Sequence, residues 1–204
     1  MQQRASVPLW FKLSYTLMAV IVVSVYSYEL PLSHFLWFSD IALITLVIAV
    51  WLNNRLLSSC MAVGVLFLEL GWVADFLTGG NLLGAAAYVF DADRKLHLNI
   101  LSAVFHLALP PVLIYLLLRW GYDTRAFLTQ SLIALVVMTA TYFTGDPQAN
   151  TNWAFGIGGP QDIVHPFVYL VFACTVLIVM VYWPSHLIFK RFFDRKREAG
   201  GSRE

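Results

Sequence analysis

Charged side chains are scarce in this chain of 204 residues: Asp, Glu, Lys and Arg together make up 12% of it, against 59% hydrophobic residues. Soluble domains carry about 25% charged residues, which cover their water-facing surface. The mean hydropathy of +0.71 points the same way. The composition therefore excludes an ordinary soluble enzyme and a nucleic-acid-binding domain, and it predicts an integral membrane protein.

Cysteine is also nearly absent, since the chain contains only Cys60 and Cys174. Neither lies in a run of closely spaced Cys and His residues of the kind that binds zinc. The predicted topology puts Cys60 near the end of one helix and Cys174 near the middle of another. We therefore expect packing roles for both residues, without a disulfide between them.

Long hydrophobic runs take the place of the missing charge. A spanning helix needs about 20 mostly apolar residues, and lipid cannot satisfy exposed backbone groups, so unbroken runs of this kind indicate helices. The sequence predicts an all-α integral membrane protein, a six-helix transmembrane bundle that forms a single domain over residues 1–190, followed by a basic, disordered tail over residues 191–204. The predicted spans are residues 9–29, 33–53, 56–77, 98–119, 126–144 and 165–189.

The basic residues predict the orientation of the bundle. Of the 13 Lys and Arg residues, all except Arg94 and Lys95 fall on one side of the predicted membrane. Basic residues concentrate in cytoplasmic segments. Both termini are therefore predicted to be cytoplasmic, in a multi-pass protein of the cell (inner) membrane.

Two long connections lie on the other, outer side. The first follows the third span, and its middle, residues 82–90, is predicted to form a short interfacial helix. The second, "TGDPQANTNWAFGIGGPQDIVHP", is too rich in Gly and Pro to be helical, so we expect a shaped loop. Long loops of this kind often cover binding sites.

Three ionisable residues are predicted to share one depth in the membrane. At about 1.5 Å per residue, Asp40, Glu69 and His106 each lie roughly 10 to 12 Å inside the outer boundary, on three different helices. The inner halves of the helices, such as "LITLVIAV", hold almost nothing ionisable. A channel needs polar groups along its whole length. We therefore expect an outward-facing cavity in the outer leaflet rather than a conduit.

Further polar and aromatic residues are predicted to share a helix face with Asp40, Glu69 and His106, because residues three or four positions apart lie on one face of a helix. Others come from the start of the last helix and from the loop over the predicted mouth. The candidate substrate-binding residues are His34, Trp37, Trp72, Asp75, Asn99, Tyr142, Asn150, Asn152, Trp153, His165 and Tyr169.

The three ionisable residues suggest acid–base chemistry. His106 is the candidate general base, and Asp40 and Glu69 are its candidate orienting or charge-balancing partners. The hydroxyl of Ser102, Ser39 or Thr139 is a candidate nucleophile. No cofactor is predicted, but a metal ion bound by Asp40, Glu69 and His106 is an open alternative.

Two resemblances bear on function. The segments "HFLWFSDIAL", "LSAVFHLALPP" and "NTNWAFGIGGPQDIVHP" resemble a widespread group of uncharacterised bacterial multi-pass membrane proteins. The "FLWFSD" stretch, the His followed by Pro in the fourth span and the aromatic-Gly-Pro loop are similar to the androgen-induced and androgen-dependent membrane hydrolases. That resemblance implies six helices, hydrolysis of fatty acid esters and a catalytic role for His106. The catalytic Thr of those hydrolases falls on Trp37, so another nucleophile or a water is needed.

The leading functional hypothesis is an intramembrane hydrolase of lipid esters, whose partner is a membrane lipid or another amphiphile. A lipid carrier that uses the same cavity without chemistry is the first alternative. A proton-coupled transporter and an accessory subunit of a larger complex are the others, although the sequence has no internal repeat of the kind many transporters show.

Overall fold

The protein is described by a computed structural model for residues 6–194. Within that range every regular element is helical and no strand occurs. The helices are α1 (Leu9–Glu29), α2 (Phe38–Leu52), α3 (Arg55–Leu77), α4 (Leu96–Trp120), α5 (Ala126–Thr144) and α6 (Pro166–Phe193).

The predicted helical membrane protein is confirmed in its coarse form. Helices α1, α3, α4, α5 and α6 are each long and apolar enough to cross a membrane, whereas α2 has only 15 residues. The five long helices begin and end within a few residues of their predicted bounds. Cys60 and Cys174 are buried and free.

The predicted start of the second span is wrong by five residues. Residues Leu32–Leu36 form a 3-10 turn after Pro31, and α2 begins only at Phe38. The side chain of Asn152, far along the chain, accepts a hydrogen bond from the Phe38 N–H (3.0 Å) and donates one to the Leu36 carbonyl (2.7 Å). Asp40 therefore lies in the first turn of α2 instead of two turns inside the helix.

Helix α3 is the centre of the bundle, packed against α2, α4, α5 and the middle of α6. Its first half buries small residues, among them Ser58, Ser59, Ala62 and Gly64. Small residues let membrane helices approach closely, because no bulky side chain separates the backbones. This close packing fixes the relative positions of the three helices that carry Asp40, Glu69 and His106.

Gly64 provides a test of that packing. A Cβ atom there would lie 2.5 Å from Nε2 of the buried Gln130 on α5. We expect Gly64→Ala to lower the free energy of unfolding by about 1 to 3 kcal/mol, as overpacking does, measured by unfolding in mixed detergent micelles. Gly71→Ala is the matched control on the same helix, because its Cβ would meet only Leu83, at 3.6 Å. Equal stability of the two variants would contradict the packing argument.

Two helices contain proline. Pro110 and Pro111 lie inside α4, which continues as an α-helix from Leu96 to Trp120. Since proline has no N–H, Pro110 leaves the His106 carbonyl without its helical donor. In α6, a π-helical stretch (Leu177–Tyr182) comes just before Pro184, which likewise cannot donate to the preceding turn.

The short connection between α4 and α5 carries an ionic group at the end of the bundle opposite the two long loops. Asp123 accepts hydrogen bonds from Arg125 and from Arg55. The Arg125 guanidinium lowers the pKa of Asp123 to about 2. Of the predicted basic tail, residues 191–194 still belong to the helical segment Lys190–Asp194, and the rest lies outside the described residues.

Candidate functional site

A histidine and a glutamate from neighbouring helices meet at the centre of the site. His106 of α4 and Glu69 of α3 are joined by a contact of 2.7 Å between Nδ1 and Oε2. Their side chains are 10% and 5% exposed. The depth argument predicted that these two groups lie at one level, and the structure brings them into direct contact.

The direction of the hydrogen bond between His106 and Glu69 decides which imidazole nitrogen is basic. An ionised Glu69 can only accept, so in that state Nδ1 of His106 donates the proton of this contact, and in the neutral imidazole the lone pair is on Nε2. Within residues 6–194, no hydrogen bond involves Nε2. The Trp72 ring stacks on the imidazole, with centroids 4.3 Å apart and planes at 17°. The imidazole is thus held in one orientation with a basic nitrogen available.

Asp40 belongs to the same group but does not contact His106. Its side chain is 2% exposed, and its Oδ2 lies 3.8 Å from Nε2 of His34. The structure therefore pairs Asp40 with His34 and leaves the orienting position beside His106 to Glu69.

None of the three candidate hydroxyls is bonded to His106 within the described residues. Ser102 shares a hydrogen bond of 2.8 Å with the hydroxyl of Tyr88, which comes from the loop after α3. Ser39 is half-buried beside Asp40, and Thr139 is exposed on the outer surface of α5. Among the described residues, His106 is therefore bonded to Glu69 and to none of these candidate nucleophiles.

Asp75 has a structural task that the sequence analysis missed. Its fully buried carboxylate accepts four backbone N–H groups of the following loop, from Leu82 (2.8 Å), Leu83 (2.6 Å), Gly84 (3.2 Å) and Ala86 (2.6 Å). The loop forms bends and a 3-10 helix, Ala87–Phe90, which covers only the last part of the short interfacial helix that we predicted over residues 82–90. The sequence did contain a signal for this role of Asp75. An acid near the end of a helix is followed by "TGGNLLG", and glycine-rich turns of this kind expose several N–H groups.

The loop between α5 and α6 is shaped as predicted, by side-chain to backbone bonds. Asn150 donates to the Gly156 carbonyl (2.9 Å) and accepts from the Phe155 N–H (3.0 Å). Asn150, Asn152 and Trp153 all have positive φ, from 45° to 56°. Such conformations cost free energy outside glycine. These bonds hold Asn152 in place to cap α2 two residues before Asp40.

Removing that cap is expected to destabilise the protein. Asn152→Ala loses two hydrogen bonds and puts alanine at φ 54°, so we expect a loss of about 2 kcal/mol, measured by thermal unfolding. Asn152→Gly keeps the backbone freedom and should lose only about half as much.

The matched control is Asn81→Ala. The Asn81 side chain donates to the carbonyls of its own exposed turn, at Thr78 and Gly79, so a change within about 0.5 kcal/mol is expected. A smaller loss for Asn152→Ala than for Asn81→Ala would refute the capping role.

The remaining candidates lie at different distances from the His106–Glu69 pair. Trp37, half-buried, is the residue before α2, and Asn99 is buried and donates to the Asp91 carbonyl. Tyr142 stacks on Phe155 of the loop, with centroids 5.8 Å apart.

The structure brings neither His165 nor Tyr169 to the pair. His165 is exposed and caps α6 by accepting from the Phe167 N–H, and the Tyr169 ring lies near Phe172. Trp153 is 46% exposed on the loop.

No family model, curated protein or solved structure matched this chain. The function must therefore be argued from the residues of the site itself.

The site is closed in this structure. Asp40, Glu69 and His106 are 2%, 4% and 8% exposed. A polar pocket of about 270 Å³ at Asp123 and an apolar groove of about 320 Å³ between α1 and α4 lie elsewhere. In this arrangement the three side chains are covered by their neighbours.

The geometry gives the metal alternative no support. Among the residues that the structure describes, no three or more His, Cys, Asp or Glu side chains are arranged to hold a metal ion. Instead the site offers an oriented imidazole, an ionisable carboxylate beside it, and aromatic walls. These are the components of general acid–base chemistry.

Proposed function

We propose that this protein is an intramembrane hydrolase that acts on lipid esters. The observation that supports this proposal is the buried contact between Nδ1 of His106 and Glu69, which leaves Nε2 as the basic nitrogen. A carboxylate behind an imidazole stabilises the imidazolium that forms when the base takes a proton, and it also fixes the ring orientation. His106 is the general base and Glu69 its orienting partner.

The proposed reaction uses water as nucleophile. Nε2 of His106 removes a proton from water while the oxygen attacks the ester carbonyl. The tetrahedral intermediate then expels the alcohol, which takes that proton from the imidazolium, so that acid and alcohol are released and His106 is restored. Water is preferred because Trp37, at the position of the catalytic Thr in the hydrolases that the chain resembles, cannot attack an acyl group.

We place the chain in the cell membrane with six crossings. In this arrangement α2, together with the turn Leu32–Leu36, forms the second crossing, both termini are cytoplasmic, and the two long loops face outward. Its substrate is an amphiphile of the outer leaflet. The tail of the substrate stays in the membrane and its ester reaches His106 when the site opens.

A proton-coupled transporter is the second candidate. The observation that favours it is the group of buried titratable residues on three helices, Asp40, Glu69 and His106, of which the last two are in direct contact. Intramembrane groups of this kind relay protons in pumps. Proton flux into liposomes that contain the pure protein, without ester turnover, would favour transport over hydrolysis.

Ester turnover tests the proposed function directly. The full chain in lipid nanodiscs is incubated with a panel of long-chain esters, and fatty acid release is measured. We expect turnover, and we expect Glu69→Gln to reduce kcat by about 100-fold, because the amide cannot stabilise an imidazolium. Glu29→Gln is the control, since Glu29 contacts the exposed side chains of Lys95 and His97 at the end of α1. Absence of turnover by the wild type on every ester would refute the proposal.

A further inference from the structure

A polar cavity at the end of the bundle opposite the two long loops shares no residue with the His106–Glu69 site. It has a volume of about 270 Å³ and lies between the turn that joins α2 to α3 and the turn that joins α4 to α5. Its walls are Leu52, Asn53, Asn54, Leu56, Asp123 and Arg125. Most of these residues are polar, so the cavity is suited to a polar group rather than to an acyl chain.

The carboxylate of this cavity has all its acceptor positions filled. Oδ1 of Asp123 accepts from the backbone N–H of Arg125 (3.2 Å) and from Nε of the same residue (3.0 Å). Oδ2 accepts from Nη2 of Arg125 (2.9 Å) and from Nη2 of Arg55 (3.5 Å). An ionised carboxylate offers about four lone-pair positions, and these bonds use them. Two guanidinium groups therefore share one carboxylate, which leaves a positive charge in excess.

Hydrogen-bond donors at the cavity exceed the acceptors. The amide oxygen of Asn53 accepts from the Val7 N–H (3.4 Å), and that of Asn54 accepts from the Leu57 N–H (3.1 Å). The two amide nitrogens make no hydrogen bond within residues 6–194. Over the same range, Nε of Arg55 is buried without a partner. An excess of N–H donors beside an excess of positive charge matches an anion with several acceptor oxygens.

A phosphate group meets both conditions, because it is an anion whose oxygens accept several charge-assisted hydrogen bonds. We propose that this cavity binds a phosphate group, with the Arg125 guanidinium, which is 71% exposed, and the amide nitrogens of Asn53 and Asn54 as its donors. The inference goes beyond the proposed hydrolase and does not depend on it.

Two sources can supply the phosphate, a lipid headgroup or free phosphate in solution. The exposed side chain of Leu52 forms one wall of the cavity, so the chain of a lipid bound there can lie against it. In the proposed orientation this end of the bundle faces the cytoplasm, where anionic lipids concentrate and basic pockets between helices bind their headgroups. An anionic lipid is therefore the expected source.

Calorimetric titration of the full chain in detergent tests the inference. The probes are dihexanoylphosphatidylglycerol, dihexanoylphosphatidylcholine and inorganic phosphate, each corrected for titration into empty micelles. The two lipids have the same chains but differ in net charge, so we expect the anionic lipid to bind at least fivefold more tightly. Binding of inorganic phosphate without a preference between the lipids would support the cavity and assign it to free phosphate. No lipid preference and no binding of phosphate overturns the inference.

The variant Asn54→Asp assigns binding to the cavity. A carboxylate can still accept from the Leu57 N–H, so the cap of α3 and the fold should be retained. The change removes an amide donor and puts a negative charge into the cavity, so affinity for the preferred probe should fall at least fivefold. Asn81→Asp makes the same change on the exposed outer loop and should bind as the wild type does. Unchanged affinity in Asn54→Asp overturns the inference.

A second variant, Arg125→Gln, removes the excess positive charge. Affinity for the anionic lipid should fall to that for the zwitterionic one, or affinity for inorganic phosphate should be lost. Arg191→Gln is the matched control, an exposed cation at the same end of the bundle, and should leave affinity within about twofold. Equal losses in the two variants would indicate general surface charge and overturn the inference. Ester turnover is a separate readout, because the cavity shares no residue with the His106–Glu69 site.

Discussion

Replacing His106 with alanine is expected to lower kcat for ester hydrolysis by about 10² to 10⁴-fold, the usual contribution of a general base. The variant removes the nitrogen that is proposed to take the proton from water, and it leaves the Glu69 carboxylate without its partner. Because the site closes around the pair, binding of the amphiphile depends more on the surrounding residues than on this ring. The change should therefore appear in kcat much more than in KM, measured by steady-state release of fatty acid in nanodiscs.

His97→Ala is the matched control for that experiment. His97 lies on the same helix, but its side chain is 52% exposed and faces Glu29. We expect its kcat to stay within about twofold of the wild type, as for a surface substitution away from the chemistry. If His106→Ala folds and retains normal turnover, His106 is not the base.

Replacing Asp75 with alanine is expected to lower the free energy of unfolding by about 3 to 5 kcal/mol. One carboxylate accepts four backbone N–H groups, and hydrogen bonds to a charged group contribute about 1.5 to 3 kcal/mol each, from which hydration of the released loop must be subtracted. Thermal unfolding measures the loss. Faster proteolysis within residues 79–90 should accompany it, because this carboxylate holds that segment in place.

Two further variants, Asp75→Asn and Asp93→Ala, test whether the four hydrogen bonds of Asp75 cause the loss of stability. The amide keeps one acceptor oxygen but loses the charge, so an intermediate loss is expected. Asp93 is an exposed acid in the same loop, and its replacement should change stability by less than about 0.5 kcal/mol. A loss in Asp93→Ala as large as that in Asp75→Ala would mean that loop charge, rather than the four bonds, is responsible.

Most of the helices could be predicted from the sequence because the membrane imposes a simple rule. A run of about 20 apolar residues must satisfy its own backbone, so its ends coincide with the ends of the run. The predicted bounds 9–29 and 126–144 coincide with those of α1 and α5. The depth of each residue along its helix then predicted that Glu69 and His106 lie at one level. In the structure their side chains are in contact.

What could not be predicted depends on contacts between distant segments. The start of α2 is fixed by Asn152, which lies more than a hundred residues further along the chain, and no local pattern around Phe38 reports it. The same holds for Asp40: depth alone could not decide between His106 and His34 as its neighbour, because the choice depends on the rotation of α2 and on the turn Leu32–Leu36.

The shortness of α2 has a consequence for the surrounding bilayer. Fifteen residues rise about 22 Å, whereas the hydrocarbon layer is about 30 Å thick. Any mismatch that the turn Leu32–Leu36 leaves is relieved when lipids thin locally around the short helix. Thinning would lower the headgroup layer toward the first turn of α2, which holds Asp40. In the proposed six-crossing arrangement, the acyl-chain length of the host lipid therefore controls how near water and polar headgroups come to the buried carboxylate.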